Sequence, residues 1–568
     1  MTGPRAILTR RALLLFAAAA LALACSRLPL SGDTGTGAIA MPDRYSAAVA
    51  EEILNDGGNA VDAAIAAAFV LAVAYPEAGN IGGGGFMLLR IGVHAAFLDF
   101  REIAPAAATR DMYFDARGEI VDGASLNGHR AVAVPGTVAG LRAAHESYGT
   151  RPWRELLAPA IALAENGIEV PQLLVDRVRD ESPRLAAVAS FARYFGHLRA
   201  GQTYRQPELA AALQRIARQG AAGFYEGETA RLIVDEMRRG GGIITADDLA
   251  AYRPQWREPL RTRWRDHEIF AAPPPSSGGF AIIQLLKMKD ALAPSFAGLA
   301  HNSAQYIHLT AEMEKRVFAD RAEYGGDPDF VRQPVEELIA DDYVAARAAE
   351  VDPVAISKGS AVRPGLEGRS TAHFSIVDRD GNAVALTYTL NTDFGSGVVV
   401  EGGGFLLNNE MDDFSAKPGV ANYYGVTGAE ANAIAPGKRM LSSMSPTILV
   451  SDGRVSMVLG SPGGSTIITS VYQTIVNVLD FGMSAQEAVS ATRFHHQLIP
   501  EDLVTYSVMK PLPEEVVGEL TSRGYRAVPH EWEFGDLQLV LRRGDRWSAA
   551  SDPRGRGKSR LLQDGDGS

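Results

Sequence analysis

The sequence predicts an α+β protein, and three observations support that fold class. Helical spacing of apolar residues occurs mainly in the first two thirds of the chain, at 60–74, 137–147, 152–166, 207–218, 226–238 and 305–318, and again at 466–479. Strand-like runs are concentrated later, at 372–378, 383–390 and 446–459, with an earlier one at 86–99. The sequence contains no internal repeat and no long linker, so one compact body built from two segments is expected.

Composition sets the broad class. The chain has 568 residues, of which 46% are hydrophobic and 21% are charged, as in a soluble globular protein with a large core. The formal net charge of -12 argues against nucleic acid as a partner, because neutralising phosphates requires a basic face. Glycine runs, such as those at 82–85, 240–242 and 402–404, indicate tight backbone passages.

The amino terminus has the pattern of an export signal. Arginines precede an apolar run at 12–24 that ends in small residues, so residues 1–24 are predicted to be a signal peptide. The run is too short to be a stable membrane anchor. Because Arg10 and Arg11 are adjacent, both general secretion and twin-arginine export remain open. A periplasmic or secreted location is expected.

Cys25 is the only cysteine of the chain and follows the predicted cleavage site directly. A bacterial lipoprotein carries its lipid at this position, so a membrane tether through Cys25 is one interpretation. The other is a secreted protein whose mature chain begins there. A single cysteine excludes an intramolecular disulfide. Residues 25–37 are rich in Ser, Gly, Thr and Pro and predict a flexible tether, with the fold beginning near Ala38.

The segment around Asp378 predicts a β-hairpin. Asp378 and Gly381 suit the first and the left-handed fourth residue of a type I turn with a glycine bulge. That turn sets Thr371 opposite Thr389 and places Asn391 on the same face as Thr389. A register shifted by one residue remains an alternative, as does a threonine-rich pair whose hydroxyls only stabilise the sheet.

An ordered series of motifs extends over almost the whole chain after the export signal. The motifs lie at 57–64, 81–87, 99–105, 273–279, 387–392, 407–414, 441–447, 460–465 and 493–497. In these residues and in their order the chain resembles the gamma-glutamyltranspeptidases. The resemblance implies an N-terminal nucleophile hydrolase with a four-layer αββα sandwich. It also implies self-cleavage into a large subunit, 38–370, and a small subunit, 371–568, which stay together as a heterodimer.

The resemblance implies that Thr371 is the nucleophile. Its hydroxyl would attack the carbonyl of Ser370 in the precursor, and hydrolysis of the resulting ester would free Thr371 as a new chain start. An α-amino group has a reference pKa of about 7.7 to 8.0, so the new terminus can act as base toward its own hydroxyl. Thr389 resembles the family's second threonine, which orients the nucleophile. Ala372 departs from the family, where many members carry a threonine.

Gly463 and Gly464 precede the predicted helix at 466–479, so their amides are candidates for an oxyanion hole at the amino end of that helix. Taken alone, this Pro-Gly-Gly sequence is an ordinary turn. A phosphate-binding loop is excluded because no Gly-Lys-Ser/Thr follows.

A gamma-glutamyl donor carries a free α-carboxylate and a free α-ammonium, so its pocket needs hydrogen-bond donors at one end and acceptors at the other. The positions that match the family's carboxylate-binding residues are Arg101, Ser442 and Ser443. Those that match its ammonium-binding residues are Asn391, Glu410 and Asp413. Without the resemblance, the arginine would be read as a surface ion pair and the acids as a solvated loop.

Tyr424 and the pair His495 and His496 are two further candidate features. Tyr424 resembles the tyrosine of a flexible lid that covers the donor in some members of the family. His495 and His496 resemble a metal pair only superficially, because adjacent residues of a strand point apart and no carboxylate partner is identifiable. We therefore expect no metal and no cofactor.

The leading hypothesis is hydrolysis of glutathione and related gamma-glutamyl amides, with transfer to amino acids or peptides as a second outcome. A sister acylase acting on glutaryl cephalosporins would share the nucleophile but need not keep Glu410 and Asp413. A surface lipoprotein that keeps the fold only for binding is a third possibility. The intact set of Thr371, Thr389 and the glycine pair argues against it.

Overall fold

The structure is a computed structural model that describes residues 36–357, 371–416 and 428–563. Four predictions concern residues outside these ranges: the signal peptide, the lipidated Cys25, the cleavage partner Ser370 and the lid residue Tyr424. Among the described residues, no helix is both long enough and apolar enough to cross a bilayer.

The described strands are numbered in chain order. They are β1 Gly37–Met41, β2 Gly84–Ile91, β3 His94–Phe100, β4 Ile168–Glu169, β5 Thr203–Tyr204, β6 Gln255–Arg257, β7 Leu260–Trp264, β8 His267–Ala271, β9 Ala372–Val377, β10 Ala383–Thr389, β11 Thr447–Ser451, β12 Arg454–Gly460, β13 Phe494–His495, β14 Leu503–Tyr506, β15 Arg526–Pro529, β16 Gln538–Arg543, β17 Arg546–Ser551 and β18 Lys558–Leu562.

The α-helices of the same ranges are Arg44–Asn55, Ala60–Ala74, Thr137–Tyr148, Trp153–Asn166, Gln172–Glu181, Ala189–Phe195, Pro207–Gln219, Ala222–Tyr225, Gly227–Gly240, Ala246–Ala251, Gly278–Ala291, Ala293–Phe296, Ala304–Tyr324, Val335–Leu338, Asp341–Ala349, Thr466–Leu479, Ala485–Ser490 and Glu514–Ser522. They confirm the predicted helices. The helix expected at 305–318 continues to Tyr324, which adds a charged last turn.

Two large antiparallel sheets form the centre of the molecule. One has the strand order β18-β1-β9-β10-β2-β3-β6, and the other has the order β17-β16-β12-β11-β8-β7. Apolar side chains of both sheets share one core cluster with the helices Gly278–Ala291 and Thr466–Leu479. A second cluster joins the first sheet to the helix Ala60–Ala74 and its neighbours. The predicted four-layer αββα sandwich is thereby confirmed.

The helix Ala60–Ala74 shows how local sequence builds a layer. Its alanine-rich sequence is apolar on all sides, and every residue of it is buried, as predicted. Asn59 caps the helix, and its side-chain oxygen accepts hydrogen bonds from the first-turn amides. The buried Asp62 accepts hydrogen bonds from the backbone and hydroxyl of Thr150, so its charge is compensated inside the core.

The hairpin formed by β9 and β10 has the predicted register. Ala383 pairs with Val377, and the ladder continues to Tyr388 opposite Ala372. At the turn, Gly381 has a φ of 79°, and its amide donates to the carbonyl of Asp378 at 3.1 Å. The ladder runs without a shift. If it is continued by one residue, Thr371 lies opposite Thr389, as the predicted register requires.

The structure differs from the sequence interpretation at element boundaries. The run at 86–99 is two strands, β2 and β3, because Gly92 turns the chain at a φ of 57°. The run at 446–459 is likewise two strands, β11 and β12, separated by a turn at Gly453 with a φ of 73°. The strand β1 begins at Gly37, inside the predicted tether, because Gly37 pairs with Leu562 of β18.

Candidate active site

Thr371 lies at the head of β9, in the middle of the first large sheet, where the catalytic residue was predicted. Its relative exposure is 6%, so it is nearly enclosed. The hairpin register brings Thr389, at the end of β10, to the position opposite it. Both threonines border the same small cavity. The structure therefore brings the two predicted hydroxyls together.

The chain beyond β10 turns around the Thr389 hydroxyl. The amide of Asn391 donates to Thr389 Oγ1 at 2.8 Å, and Asn391 has a φ of 81°, a left-handed conformation in which asparagine is enriched. The Asn391 side chain donates to the carbonyl of Asn409 at 3.0 Å. Asn80 holds the same strand end, because its amide nitrogen donates to the Thr389 carbonyl at 2.9 Å. These bonds hold Thr389 in a defined orientation.

The glycine pair forms a tight turn before the helix Thr466–Leu479. Gly463 has a φ of 126° and Gly464 one of 57°, both of which favour glycine. The carbonyls of the pair accept hydrogen bonds from the first helical amides, while within the described part of the chain neither glycine amide donates one. Two free amides at a helix amino end suit the stabilisation of an oxyanion, and that role of the pair stays a prediction.

Arg101 is the centre of a buried ionic cluster. Arg101 Nη1 lies 2.6 Å from Glu410 Oε2 and 3.7 Å from Glu102 Oε2, and its Nη2 contacts Asp413. The arginine is 1% exposed, and Glu102 and Glu410 are fully buried. The sequence interpretation assigned Arg101 to one end of the donor and the acids to the other. In the structure they contact each other directly.

Burial dominates the protonation of this cluster. It raises the pKa of Glu102 to about 8, against the opposing effect of the Arg101 charge. Burial also raises the pKa of Glu410 and of Asp413, again against Arg101. Burial alone would lower the pKa of Arg101, but the acidic neighbours outweigh it and raise the value. Three carboxyl groups thus share one guanidinium, and burial favours the protonated form of each of them.

Ser442 and Ser443 also line the cavity. Ser442 is held by backbone pairing, because its amide donates to the carbonyl of Pro275 at 2.9 Å and its carbonyl accepts from the amide of Ser277 at 2.8 Å. Ser443 Oγ accepts a hydrogen bond of 3.2 Å from Nη2 of Arg321. The motif at 273–279 therefore positions the predicted carboxylate-binding serines.

One cavity collects nearly all of the predicted site. Its described lining includes Arg101, Thr371, Thr389, Asn391, Glu410, Asp413, Ser442, Ser443 and Gly464. Gly463 instead lines a second cavity, which Thr371 also borders. The nucleophile candidate therefore lies in the wall between two cavities. The histidine pair does not line the first cavity, although His495 Nε2 lies 3.4 Å from Oγ of the lining residue Ser465, and His496 Nδ1 lies 2.7 Å from the carbonyl oxygen of Leu503.

Sequence reasoning missed two residues of this site. Arg321 lines the first cavity, and Glu102 Oε2 lies 3.7 Å from Arg101 Nη1. Glu102 stands next to Arg101 in a quoted motif, and that adjacency was the available signal. The sequence contains no comparable signal for Arg321, because the helix Ala304–Tyr324 carries so many charged residues that it suggests a solvent-exposed surface. In the structure most of that helix is buried.

A threonine at the head of a central strand in an αββα sandwich, with a Gly-Gly turn bordering the same cavities, defines the N-terminal nucleophile hydrolases as the class of this protein. The family model described as gamma-glutamyltranspeptidase matches residues 46–562. The chain belongs to the gamma-glutamyltranspeptidase family.

Relatives agree with this assignment. The chain is 55% identical over 521 residues to a glutathione hydrolase proenzyme of Pseudomonas aeruginosa, covering 92% of this chain and 94% of the relative. It is 44% identical over 529 residues to a glutathione hydrolase proenzyme of Escherichia coli, covering 91% and 90%. Among solved structures, a cephalosporin acylase from Bacillus halodurans superimposes with a TM-score of 0.81 at 26% identity, covering 95% and 98%.

Proposed function

We propose that this protein is a gamma-glutamyltransferase and glutathione hydrolase that matures by cutting itself between Ser370 and Thr371. The observation that carries the proposal is the first cavity, whose lining brings together the nucleophile threonine, Gly464 of the glycine pair, buried acids and the serine hydroxyls. Such a cavity suits a substrate with both an ammonium and a carboxylate near the scissile amide. Two relatives named as glutathione hydrolase proenzymes support it.

Maturation and turnover use the same group. In the precursor, Thr371 Oγ1 attacks the carbonyl carbon of Ser370, the peptide C–N bond breaks, and the Thr371 nitrogen takes the proton. Water then hydrolyses the ester and leaves Thr371 with a free amine. In turnover that amine takes the hydroxyl proton, Oγ1 attacks the gamma-glutamyl carbonyl, and the proton passes to the departing amine.

The oxyanion that forms in each step needs donors that are already in place. The amides of Gly463 and Gly464 lie at the amino end of a helix, where the helix dipole adds to their effect. Loss of one such donor typically costs roughly a hundredfold to a thousandfold in kcat. Because the backbone supplies the charge stabilisation, the site requires no catalytic histidine.

The second cavity supports transfer as well as hydrolysis. It meets the first at Thr371 and is lined by both apolar and charged groups, among them Tyr75, Arg177, Asp393 and Trp532. We assign it to the leaving amine and to the incoming acceptor. Water entering there completes hydrolysis. An amino acid or peptide amine entering there attacks the ester, takes over the acyl group and returns the hydroxyl to Thr371.

The alternative reaction is that of a glutaryl acylase. The structural similarity to a cephalosporin acylase is the reason for testing this alternative. A glutaryl amide lacks the α-ammonium, so it would leave Glu410 and Asp413 without an added cation. Burying an unpaired polar or charged group costs about several kcal/mol, which corresponds to discrimination of roughly a hundredfold. We expect a preference of that order for gamma-glutamyl p-nitroanilide over glutaryl p-nitroanilide.

The test compares kcat/KM for the two anilides on the self-cleaved protein. The double variant Glu410→Gln, Asp413→Asn should lose most of the preference, because its neutral amides no longer require a cation. A wild-type protein that uses the glutaryl anilide as well as or better than the gamma-glutamyl anilide would contradict the transferase proposal and favour the acylase.

We also propose that the protein acts outside the cytoplasm and that Cys25 carries a lipid. The support is the sequence pattern of residues 1–24 and the position of the single cysteine after it. Labelling with a radioactive fatty acid should mark the wild type and leave Cys25→Ser unlabelled. Incorporation that persists in Cys25→Ser would rule out lipidation at that residue, and mass spectrometry of the mature amino terminus would locate the cleavage.

A further inference from the structure

The glycine turn of the proposed oxyanion site continues directly into Ser465, the residue before the helix Thr466–Leu479. Ser465 is fully buried and lines the first cavity. Its side chain does not cap the helix, although serine is a preferred capping residue. The Ser465 hydroxyl instead donates to Gln497 Oε1 at 2.9 Å and lies 3.4 Å from His495 Nε2. The turn is therefore attached to the motif at 493–497, which the proposed mechanism does not use.

His495 is also linked to the first turn of the same helix. Its Nδ1 lies 3.0 Å from Thr469 Oγ1. The Thr469 hydroxyl donates its one proton to the carbonyl of Thr466 at 3.1 Å, so it accepts the bond from His495 Nδ1. Thr466 Oγ1 in turn donates to the carbonyl of Gly463 at 2.6 Å. One imidazole is thus linked to the glycine turn through both of its ring nitrogens.

The surroundings of the imidazole hold it in one orientation. His495 is 4% exposed, and the ring centroids of Phe318 and Phe534 lie 5.8 Å and 6.5 Å from that of His495. The helix also holds the neighbouring backbone, because Gln473 Nε2 donates to the carbonyl of Phe494 at 2.6 Å and Gln473 Oε1 accepts from the Phe494 amide at 3.3 Å. A buried polar side chain with several fixed partners can in turn fix the groups that it contacts.

We propose that His495 is a positioning residue that fixes the Gly463–Gly464 turn, so that the amides of the turn are in place before the oxyanion forms. His495 lines neither the first nor the second cavity, so it acts through Ser465 and Thr469. This role rests on the proposed function, because the position of the turn affects the rate only if an oxyanion forms beside it. Donors that are already in place need no rearrangement at the moment of reaction.

Three substitutions separate the two links of the imidazole. An asparagine carboxamide reaches the place of Nδ1, so His495→Asn can keep the bond to Thr469 and loses the contact with Ser465. A glutamine carboxamide reaches the place of Nε2, so His495→Gln does the opposite, and His495→Leu loses both. In His495→Leu we expect kcat for gamma-glutamyl p-nitroanilide to fall roughly thirtyfold or more, with KM within about twofold of the wild type. The two amide variants should lose less.

Inhibitor binding distinguishes a misplaced turn from a damaged donor pocket. The boronic acid analogue of glutamate, in which boron replaces the γ-carbonyl carbon, forms a tetrahedral adduct with a hydroxyl nucleophile and places an oxygen where the oxyanion would lie. L-glutamate binds without forming such an adduct. In self-cleaved His495→Leu, Ki for the boronate should rise roughly tenfold or more, while Ki for L-glutamate should change less than about twofold.

His496→Asn is the matched control. His496 is the adjacent buried histidine, and its Nδ1 contacts the carbonyl of Leu503, a bond that asparagine can keep. This variant should retain kcat and both inhibition constants within about twofold of the wild type. A fall of kcat in His496→Asn as large as that in His495→Leu would show a general disturbance of this region and would overturn the specific role of His495.

The remaining outcomes separate the role of His495 from the proposed function. A wild-type kcat in His495→Leu, or an equal rise of both inhibition constants, would overturn that role and leave the transferase assignment intact. If His495→Leu does not fold or self-cleave, the two amide variants decide, because the boronate constant alone must rise in at least one of them. A wild-type protein that does not cleave the gamma-glutamyl anilide would instead remove the proposed function itself.

Discussion

The two sides of the first cavity are built from opposite kinds of groups. The side proposed to be catalytic consists of Thr371, Thr389 and Gly464, with Gly463 in the adjoining cavity, and none of these residues has an ionisable side chain. The side proposed to recognise the donor contains Arg101, Glu410, Asp413 and Arg321, all of them buried or nearly so. The chemistry relies on backbone amides and hydroxyls, whereas selection relies on buried charge.

This contrast has a physical reason. A free amino terminus and helix-end amides are supplied by the backbone, so bond cleavage needs little from ionisable side chains. Recognition of a zwitterion requires opposite charges in fixed places, and each buried charge must be compensated when the donor is absent. The ion pairs of Arg101 with the acids provide that compensation. The two sides should therefore respond differently to substitution.

The largest effect should come from Thr371→Ala. This variant lacks the hydroxyl that attacks Ser370 and the hydroxyl that attacks the donor, so it should remain one chain and lose turnover by about 10⁴-fold or more. Gel electrophoresis and an anilide assay measure both effects. A Thr371→Ala protein that still splits at this bond would show that another protease makes the cut.

Arg101→Lys tests whether the two sides are separable. Lysine keeps the charge but has a single ammonium group in place of the two Nη groups of arginine. It therefore cannot contact Glu410 and Asp413 in the way that the guanidinium does. We expect KM for the gamma-glutamyl anilide to rise roughly tenfold or more, while self-cleavage keeps its wild-type rate because maturation involves no donor. Slow maturation in this variant would mean that the charged side also supports the cleavage chemistry.

A smaller effect is expected for Thr389→Val, which removes the hydroxyl opposite Thr371 and the acceptor of the Asn391 amide. Loss of a buried hydrogen-bond partner costs about 1 to 3 kcal/mol, so maturation and turnover should both slow by about tenfold to a hundredfold while the fold persists. Unchanged time courses for both processes would remove Thr389 from the catalytic side.

The catalytic side could largely be predicted from the sequence, and the recognition side only in part. The hairpin follows from turn chemistry within a few residues of Asp378, which is local information. Arg321 depends on the burial of a charged helix against distant segments, which no local pattern reports. The contact of Arg101 with the acids likewise joins positions more than 300 residues apart in sequence.

The proposed function depends above all on a freed Thr371 that carries the acyl group of a gamma-glutamyl donor. Intact mass spectrometry of the purified protein, quenched in acid during turnover of gamma-glutamyl p-nitroanilide without an added acceptor, tests this most directly. We predict a small fragment of residues 371–568 whose mass rises by one gamma-glutamyl group, and a large fragment that stays unmodified. An uncleaved chain that turns the donor over, or an acyl group on the large fragment, would contradict the claim.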